Sequence, residues 1–196
     1  MNDASNFLRN RHLMSRDDSA LLVVDAQDKL LNLIPGGDQI AWNIGRIASV
    51  AKILGIPVLA TEQYPEKLGP TASRILDHVD ADITAKLSFS CSGCPGFVEQ
   101  MKMLDVHKVL VVGIETHVCI MQTCFDLMTA GYEVYTAVNA VGARFQVDHE
   151  TAIRRMEANG VVLSTAETAI FEWCEIASGP QFKEISQIVR QSPPAE

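Results

Sequence analysis

"KVLVVGIETHVCIMQTCFD", residues 108–126, opens as an apolar run, passes a glycine at Gly113, and turns polar before a helix-like stretch. A short, continuous apolar run bounded by a turn residue reads as a strand buried on both faces. A strand feeding straight into a helix is the repeating unit of a parallel sheet. Cys119 falls where that helix begins, so its thiol meets the positive end of the helix dipole.

The same pairing recurs on both sides of this stretch. Upstream, "SALLVVDAQ" (19–27) is an apolar run that ends at Asp25. "GGDQIAWNIGRIASVAKILG" (36–55) then places Ile40, Ile44, Ile47, Val50, Ala51 and Leu54 at helical spacing, with Gly55 as a stop. "IPVLATEQYP" (56–65) is a second strand opening into a proline-marked loop. A short helix in "TASRILDHV", a short strand in "DITAKLSFS" and a helix in "PGFVEQMKMLD" complete that half. Downstream, "YEVYTAV" (132–138) and "VVLST" (161–165) are strands separated by the helix "DHETAIRRMEANG", and two helices close the chain. Strand and helix alternate about six times, which predicts one α/β domain of right-handed crossovers around a mostly parallel sheet. The domain is expected over 19–191, with 1–18 a flexible polar arm and 192–196 a frayed tail. Ligands of such folds sit beyond the carboxyl ends of the strands, where strand order reverses.

Composition narrows the partners. The chain has 196 residues, enough for one stable core without disulfides or metals. Lysine and arginine number 16 against 24 acidic residues, a net charge of −8 without a basic cluster, so no nucleic-acid partner is expected. No apolar run approaches the ~20 residues that span a bilayer, so no membrane partner is expected either. The polar start "MNDASNFLRNRHLMSRDDSA" lacks a signal core, which suggests a cytoplasmic protein with reduced cysteines. Neither G-x-G-x-x-G nor G-x-x-x-x-G-K-[ST] is present, and zinc-ligand spacings are missing; no cofactor and no metal are expected.

Three residues stand at strand ends: Asp25, Lys86 and Cys119. Singly, each has an ordinary explanation as a turn former, a solvated lysine or a small core hydrophobe. Together they are the parts of acyl transfer. The ammonium and the helix dipole favour a thiolate, the carboxylate moves its proton, and free N–H groups of "GIETHVC" receive an oxyanion. On this reading Cys119 is alkylated far faster than Cys124 or Cys174 at neutral pH.

"LLVVDAQ", "AKLSFS" and "VVGIETHVCIMQT" resemble the three signature segments of the isochorismatase-like cysteine hydrolases. The likeness extends over about residues 20–190 through "AGYEVYTAVNAV", "DHETAIRRMEANG" and "VVLSTAETAIFEW". "TEQYPEKLGPT" followed by "KLSFS" is most similar to the isochorismatase-domain-containing branch. The resemblance implies a Rossmann-like three-layer α/β/α sandwich around six parallel strands in the order 3-2-1-4-5-6. It implies Cys119 as nucleophile, Asp25 as proton shuttle and Lys86 as the polarising cation. It further implies a cis peptide between Ile114 and Glu115 that aims the Glu115 and Cys119 amides at one oxyanion. Family members assemble as dimers, tetramers or larger rings, so a homo-oligomer acting on a small-molecule substrate is implied.

Departures from the family pattern narrow the chemistry. Metal-binding nicotinamidases carry D-x-H after the second strand, whereas "TEQYPEKLG" has no histidine, which argues against metal and nicotinamide. True isochorismatases generally lack this cysteine, so hydrolysis of an amide-type C–N bond through a thioester is the better match. A catalytically retired binding or scaffold protein is the alternative, and the ribonuclease label of some relatives is a third reading opposed by the charge. Gln27, Glu62, Gln63, Tyr64 and Phe89 are candidate substrate contacts around the pocket mouth. Cys91 and Cys94 in "CSGC" are read as structural or incidental, Cys124 as core, and His117 as a solvent or interface residue.

Overall fold

The computed structural model describes residues 8–79 and 81–194. Its sheet has six strands: β1 Ser19–Val24, β2 Val58–Gln63, β3 Ile83–Lys86, β4 Lys108–Ile114, β5 Glu133–Gly142 and β6 Val162–Ser164. They are all parallel, in the order β3-β2-β1-β4-β5-β6. The helices are α1 Asp28–Leu31, α2 Gly37–Leu54, α3 Pro65–Leu68, α4 Ser73–Leu76, α5 Phe97–Met103, α6 Met121–Thr129, α7 Gln146–Ala158, α8 Ala166–Cys174 and α9 Phe182–Val189.

The central strands explain the three layers. Every residue of β1 and β4 is buried, as expected of strands covered on both faces. Successive side chains take opposite faces. Leu21 and Val23 therefore join α2, α8 and α9 in one core, while Ala20, Leu22 and Val24 join α5, α6 and α7 in the other. β4 divides in the same way, Leu110, Val112 and Ile114 against Val109 and Val111.

Gly113 permits a close approach of β4 to β1. It pairs with Val24 at φ +121°, and a Cβ there would run into the Val24 carbonyl. Strand order reverses between β1 and β4, so the chain just beyond Val24 and Ile114 borders the crevice where ligands of this architecture bind.

Three features differ from the sequence reading. β5 runs on to Gly142, with a register shift opposite Val111 and Gly113 that the alternation of "YEVYTAV" does not signal. The helix after β4 opens as a π-helical turn, Thr116–Ile120, before α6 begins. The described part of the expected flexible arm is docked: Met14 is completely buried and its N–H donates to Glu172 Oε2 at 2.8 Å. Arg9 Nη2 donates to the carbonyls of Met14 and Glu172, and the Tyr135 hydroxyl donates to the His12 carbonyl. The apolar residues of this segment, Leu8, Leu13 and Met14, follow no period, which is why burial of Met14 leaves no pattern to read. Residues 1–7 of that arm, and 195–196 of the tail, lie outside the described residues.

Candidate active site

Asp25 follows β1 with φ +52°, a left-handed conformation that an aspartate tolerates better than most residues. The turn places its carboxylate in the crevice with no exposed surface. Oδ1 accepts from the Thr61 hydroxyl at 2.9 Å, and Oδ2 accepts from Lys86 Nζ at 2.6 Å. Lys86 ends β3, two strands away, and only a long side chain crosses the end of β2 to make that contact. Its ammonium also faces Gln63 Oε1 at 2.7 Å and the carbonyls of Ser88 and Phe89 at 3.1 and 3.0 Å. Three N–H groups meet four acceptors, so Lys86 keeps no free donor for a ligand.

Cys119 lies in the π-helical turn and retains 6% exposure. Turns of this kind cluster at functional sites. Its thiol is not poised as a thiolate, contrary to the sequence expectation. Burial pushes its pKa up, the charge and hydrogen bonding of Asp25 push it further, and Lys86 opposes only part of the shift. Burial, the largest single influence, would lower the Lys86 ammonium, but the charge and hydrogen bond of Asp25 together with the neighbouring Cys119 and Cys91 sulfurs raise it on balance. The arrangement is a buried ion pair beside a neutral thiol.

The peptide between Ile114 and Glu115 is cis. The Glu115 side chain turns to Arg144, accepting from its backbone N–H at 3.1 Å and its Nε at 3.0 Å. His117 Nε2 stands 3.9 Å from Asp148 Oδ2 on the outer side of the turn.

The candidate substrate contacts divide. Gln27 is fully buried, with Nε2 donating to the carbonyls of Gln63 and Gly69 and Oε1 accepting from the Gln63 N–H. Its whole amide ties two loops together and is not available to a substrate. Glu62 Oε1 accepts from the N–H and hydroxyl of Thr71 and anchors a loop in the same way. Gln63 holds Lys86 through Oε1 and the Leu87 carbonyl through Nε2. Phe89 contributes its carbonyl to Lys86, while the residue as a whole is 55% exposed. Tyr64 does line a cavity of about 420 Å³ that reaches Lys86, with Glu66, Leu87, Ser88 and Cys94.

Thr61 is a site residue that motif reading missed; its only signal is a hydroxyl inside the apolar run "VLAT". Its Oγ1 also lies 3.6 Å from Cys91 Sγ, and since that hydroxyl donates to Asp25 the Cys91 thiol is the donor there. Cys91 therefore backs the carboxylate, a more specific placement than the incidental one expected. Burial pushes its pKa up to about 11. Cys124 is core, as its helical position suggests.

Comparison with known proteins places the chain in a family. The family model of the isochorismatase domain matches residues 19–168. Isochorismatase domain-containing protein 2 of Rattus norvegicus is 37% identical over 179 residues, covering 91% of this chain and 84% of the relative. The secreted isochorismatase effector Isc1 of Phytophthora sojae is 33% identical, covering 88% and 85%. Among solved structures, the MAR1 ribonuclease of Caenorhabditis elegans superposes with a TM-score of 0.87 at 34% identity, covering 93% of this chain and 94% of that one. The chain belongs to the isochorismatase domain family.

Proposed function

We propose that the protein hydrolyses a small amide or related acyl compound through a thioester on Cys119. The observation that carries this reading is the meeting of a nearly enclosed thiol with a buried carboxylate–ammonium pair at the strand-order switch. The fold family supports a hydrolase, and the elevated thiol pKa sets the order of events. Asp25 takes the proton from Cys119 Sγ as the sulfur attacks the carbonyl carbon, and Lys86, donating to Oδ2 at 2.6 Å, holds the carboxylate in place. The N–H groups of Glu115 and Cys119 receive the oxyanion. Asp25 then hands the proton to the departing nitrogen, the C–N bond breaks, and the acyl group remains on sulfur. Water attacks the thioester, Asp25 takes its proton, and the acid leaves as the proton returns to Sγ.

The test is a panel of small amides and esters incubated with the wild type and Cys119→Ala, read by intact mass and peptide mapping. Acyl adducts on Cys119 of the wild type alone are expected. Absence of adduct and turnover across the panel would favour a retired, ligand-binding member of the family.

RNA cleavage is raised by the names of solved relatives, the MAR1 ribonuclease of Caenorhabditis elegans and the MAR1 ribonucleases so named from Leishmania major and Leishmania donovani. A net charge of −8 supplies little of the phosphate neutralisation that RNA affinity depends on. A tight, salt-sensitive gel shift with RNA would reverse that judgement.

A further inference from the structure

The turn that carries Cys119 is held from outside by the chain between β5 and the first turn of α7. Three consecutive residues at the start of the turn each meet a partner there. Glu115 Oε2 accepts from the backbone N–H and the Nε of Arg144. The Thr116 hydroxyl lies 3.0 Å from His149 Nδ1. His117 Nε2 stands 3.9 Å from Asp148 Oδ2.

The three links are unequal. The side chains of Arg144 and Asp148 are 49% and 42% exposed, so water can serve in place of either contact. Thr116 is completely buried, and among the described residues His149 is the sole partner of its hydroxyl. A buried hydroxyl without a partner is costly, so loss of the imidazole obliges the turn to shift. The imidazole is itself fixed in place. Ala152 and Met156 lie on the same face of α7 as His149, and both are buried in the core that also contains Cys119. Burial holds the ring below the usual imidazole range, so it is neutral at pH 7 and one of its nitrogens can accept.

We infer that His149 is a positioning residue for the oxyanion site, fixing through Thr116 where the N–H groups of Glu115 and Cys119 point. This rests on the hydrolase reading, which assigns those two N–H groups to the oxyanion. Thr116 is bonded directly to Glu115, and its carbonyl accepts from the N–H of Met121, just past Cys119. A shift of Thr116 therefore reaches both donors. His149 acts through that residue and not on the substrate.

The experiment compares two reactions of the same sulfur. p-Nitrophenyl acetate is attacked at its carbonyl carbon. The S–C bond forms as Asp25 takes the thiol proton, the carbonyl oxygen becomes the oxyanion, and its collapse breaks the C–O bond and expels p-nitrophenolate. Iodoacetamide is displaced at a saturated carbon, where no oxyanion develops. Both rates are read on Cys119 by peptide mapping, with Cys119→Ala as the blank. His149→Leu is expected to slow acetylation about tenfold and to change alkylation less than about twofold, since a displaced donor matters only where charge develops on oxygen. His149→Asn, which keeps a hydrogen-bonding group on a short side chain, should restore most of the acetylation rate. Thr116→Val removes the same bond from the other end and should reproduce the selective loss. Equal slowing of both reactions, acetylation at the wild-type rate in His149→Leu, or no rescue by His149→Asn would each overturn the inference. The hydrolase reading is judged on the wild type alone. Release of p-nitrophenolate beyond one equivalent per chain supports it, whereas a Cys119 that alkylates and never acetylates overturns it and the role of His149 with it.

Discussion

Lys86 Nζ lies 2.6 Å from Asp25 Oδ2, and neither side chain exposes any surface. Two charges withdrawn from water in this way are tolerable only as a pair, because each compensates the desolvation of the other. Lys86→Met leaves the carboxylate buried and unpaired, and should cost about 3–5 kcal/mol in urea denaturation at neutral pH. Replacing both groups, Asp25→Asn with Lys86→Met, keeps a residue that tolerates the left-handed backbone at position 25 and should recover much of that loss while abolishing any turnover. The pH dependence follows from the raised Lys86 pKa. A cation held more tightly in the folded chain contributes fully below its unfolded value near 10.5, and less as pH climbs through the folded value. The gap between wild type and Lys86→Met should therefore be constant across neutral pH and narrow above about 10.5. Unchanged denaturation midpoints in Lys86→Met would refute the pairing.

Thr61 holds the other oxygen of the same carboxylate, donating to Asp25 Oδ1 at 2.9 Å. It touches no reacting atom in the proposed chemistry, so it is a positioning residue. Thr61→Val keeps the shape and removes the donor. It should lower kcat about tenfold with KM little changed, since a misaligned base slows the step and leaves ground-state binding intact. The stability loss should be about 1 kcal/mol, the usual net worth of one hydrogen bond. Thr61→Ser should restore the rate. Equal kcat in Thr61→Val and wild type would show that Lys86 alone fixes the carboxylate.

The parts of this molecule that could be read from the sequence are those with periodicity. "LLVV" and "KVLVVGI" could only be strands covered on both faces, and Gly55 does end the helix that "GRIASVAKIL" announces. Asp25, Lys86 and Cys119 stand out in the sequence as candidates because each is a chemically active residue at the end of such an element. The geometry among them was not legible. Nothing in "AKLSFS" says that Lys86 would reach over β2 and meet four acceptors, two of them backbone carbonyls that carry no sequence signature. Gln27, Glu62 and Gln63 look like pocket residues in one dimension because they are polar and follow strands. In three dimensions their amides and carboxylate satisfy buried loop backbone and Lys86. The state of the thiol is hidden for a related reason: the helix start and the lysine are visible in the sequence, but burial, the largest influence on its pKa, is not.

Met14 offers a test of the docked N-terminal segment. Its side chain is fully buried in the core shared by α2 and α8, although it sits in a stretch of polar residues. Met14→Ala removes that packing and leaves a cavity, at an expected cost of about 2–4 kcal/mol. A Met14→Leu control, similar in volume, should cost less than about 1.5 kcal/mol. Limited proteolysis gives a second readout, with faster cleavage near Arg9 and Arg11 in the alanine variant as the segment detaches. Wild-type stability in Met14→Ala would mean that residues 8–18 contribute nothing to the fold.

The last prediction concerns the protonation of Cys119 itself. With its pKa raised by burial and by Asp25, the free enzyme holds the thiol neutral at pH 7, and the thiolate fraction lies below that of an ordinary cysteine. Iodoacetamide should therefore modify Cys119 more slowly than it modifies a small free thiol at neutral pH. The rate should climb about tenfold per pH unit through the alkaline range, because only the thiolate reacts. Asp25→Asn removes the carboxylate that disfavours the thiolate, so it should speed alkylation at fixed pH even as it stops hydrolysis. Lys86→Met should act in the opposite direction. These opposed shifts distinguish a thiol that is deprotonated only during attack from one stored as a thiolate. Fast labelling of the wild type, flat across neutral pH and indifferent to Asp25→Asn, would contradict the assignment of Asp25 as the group that receives the proton.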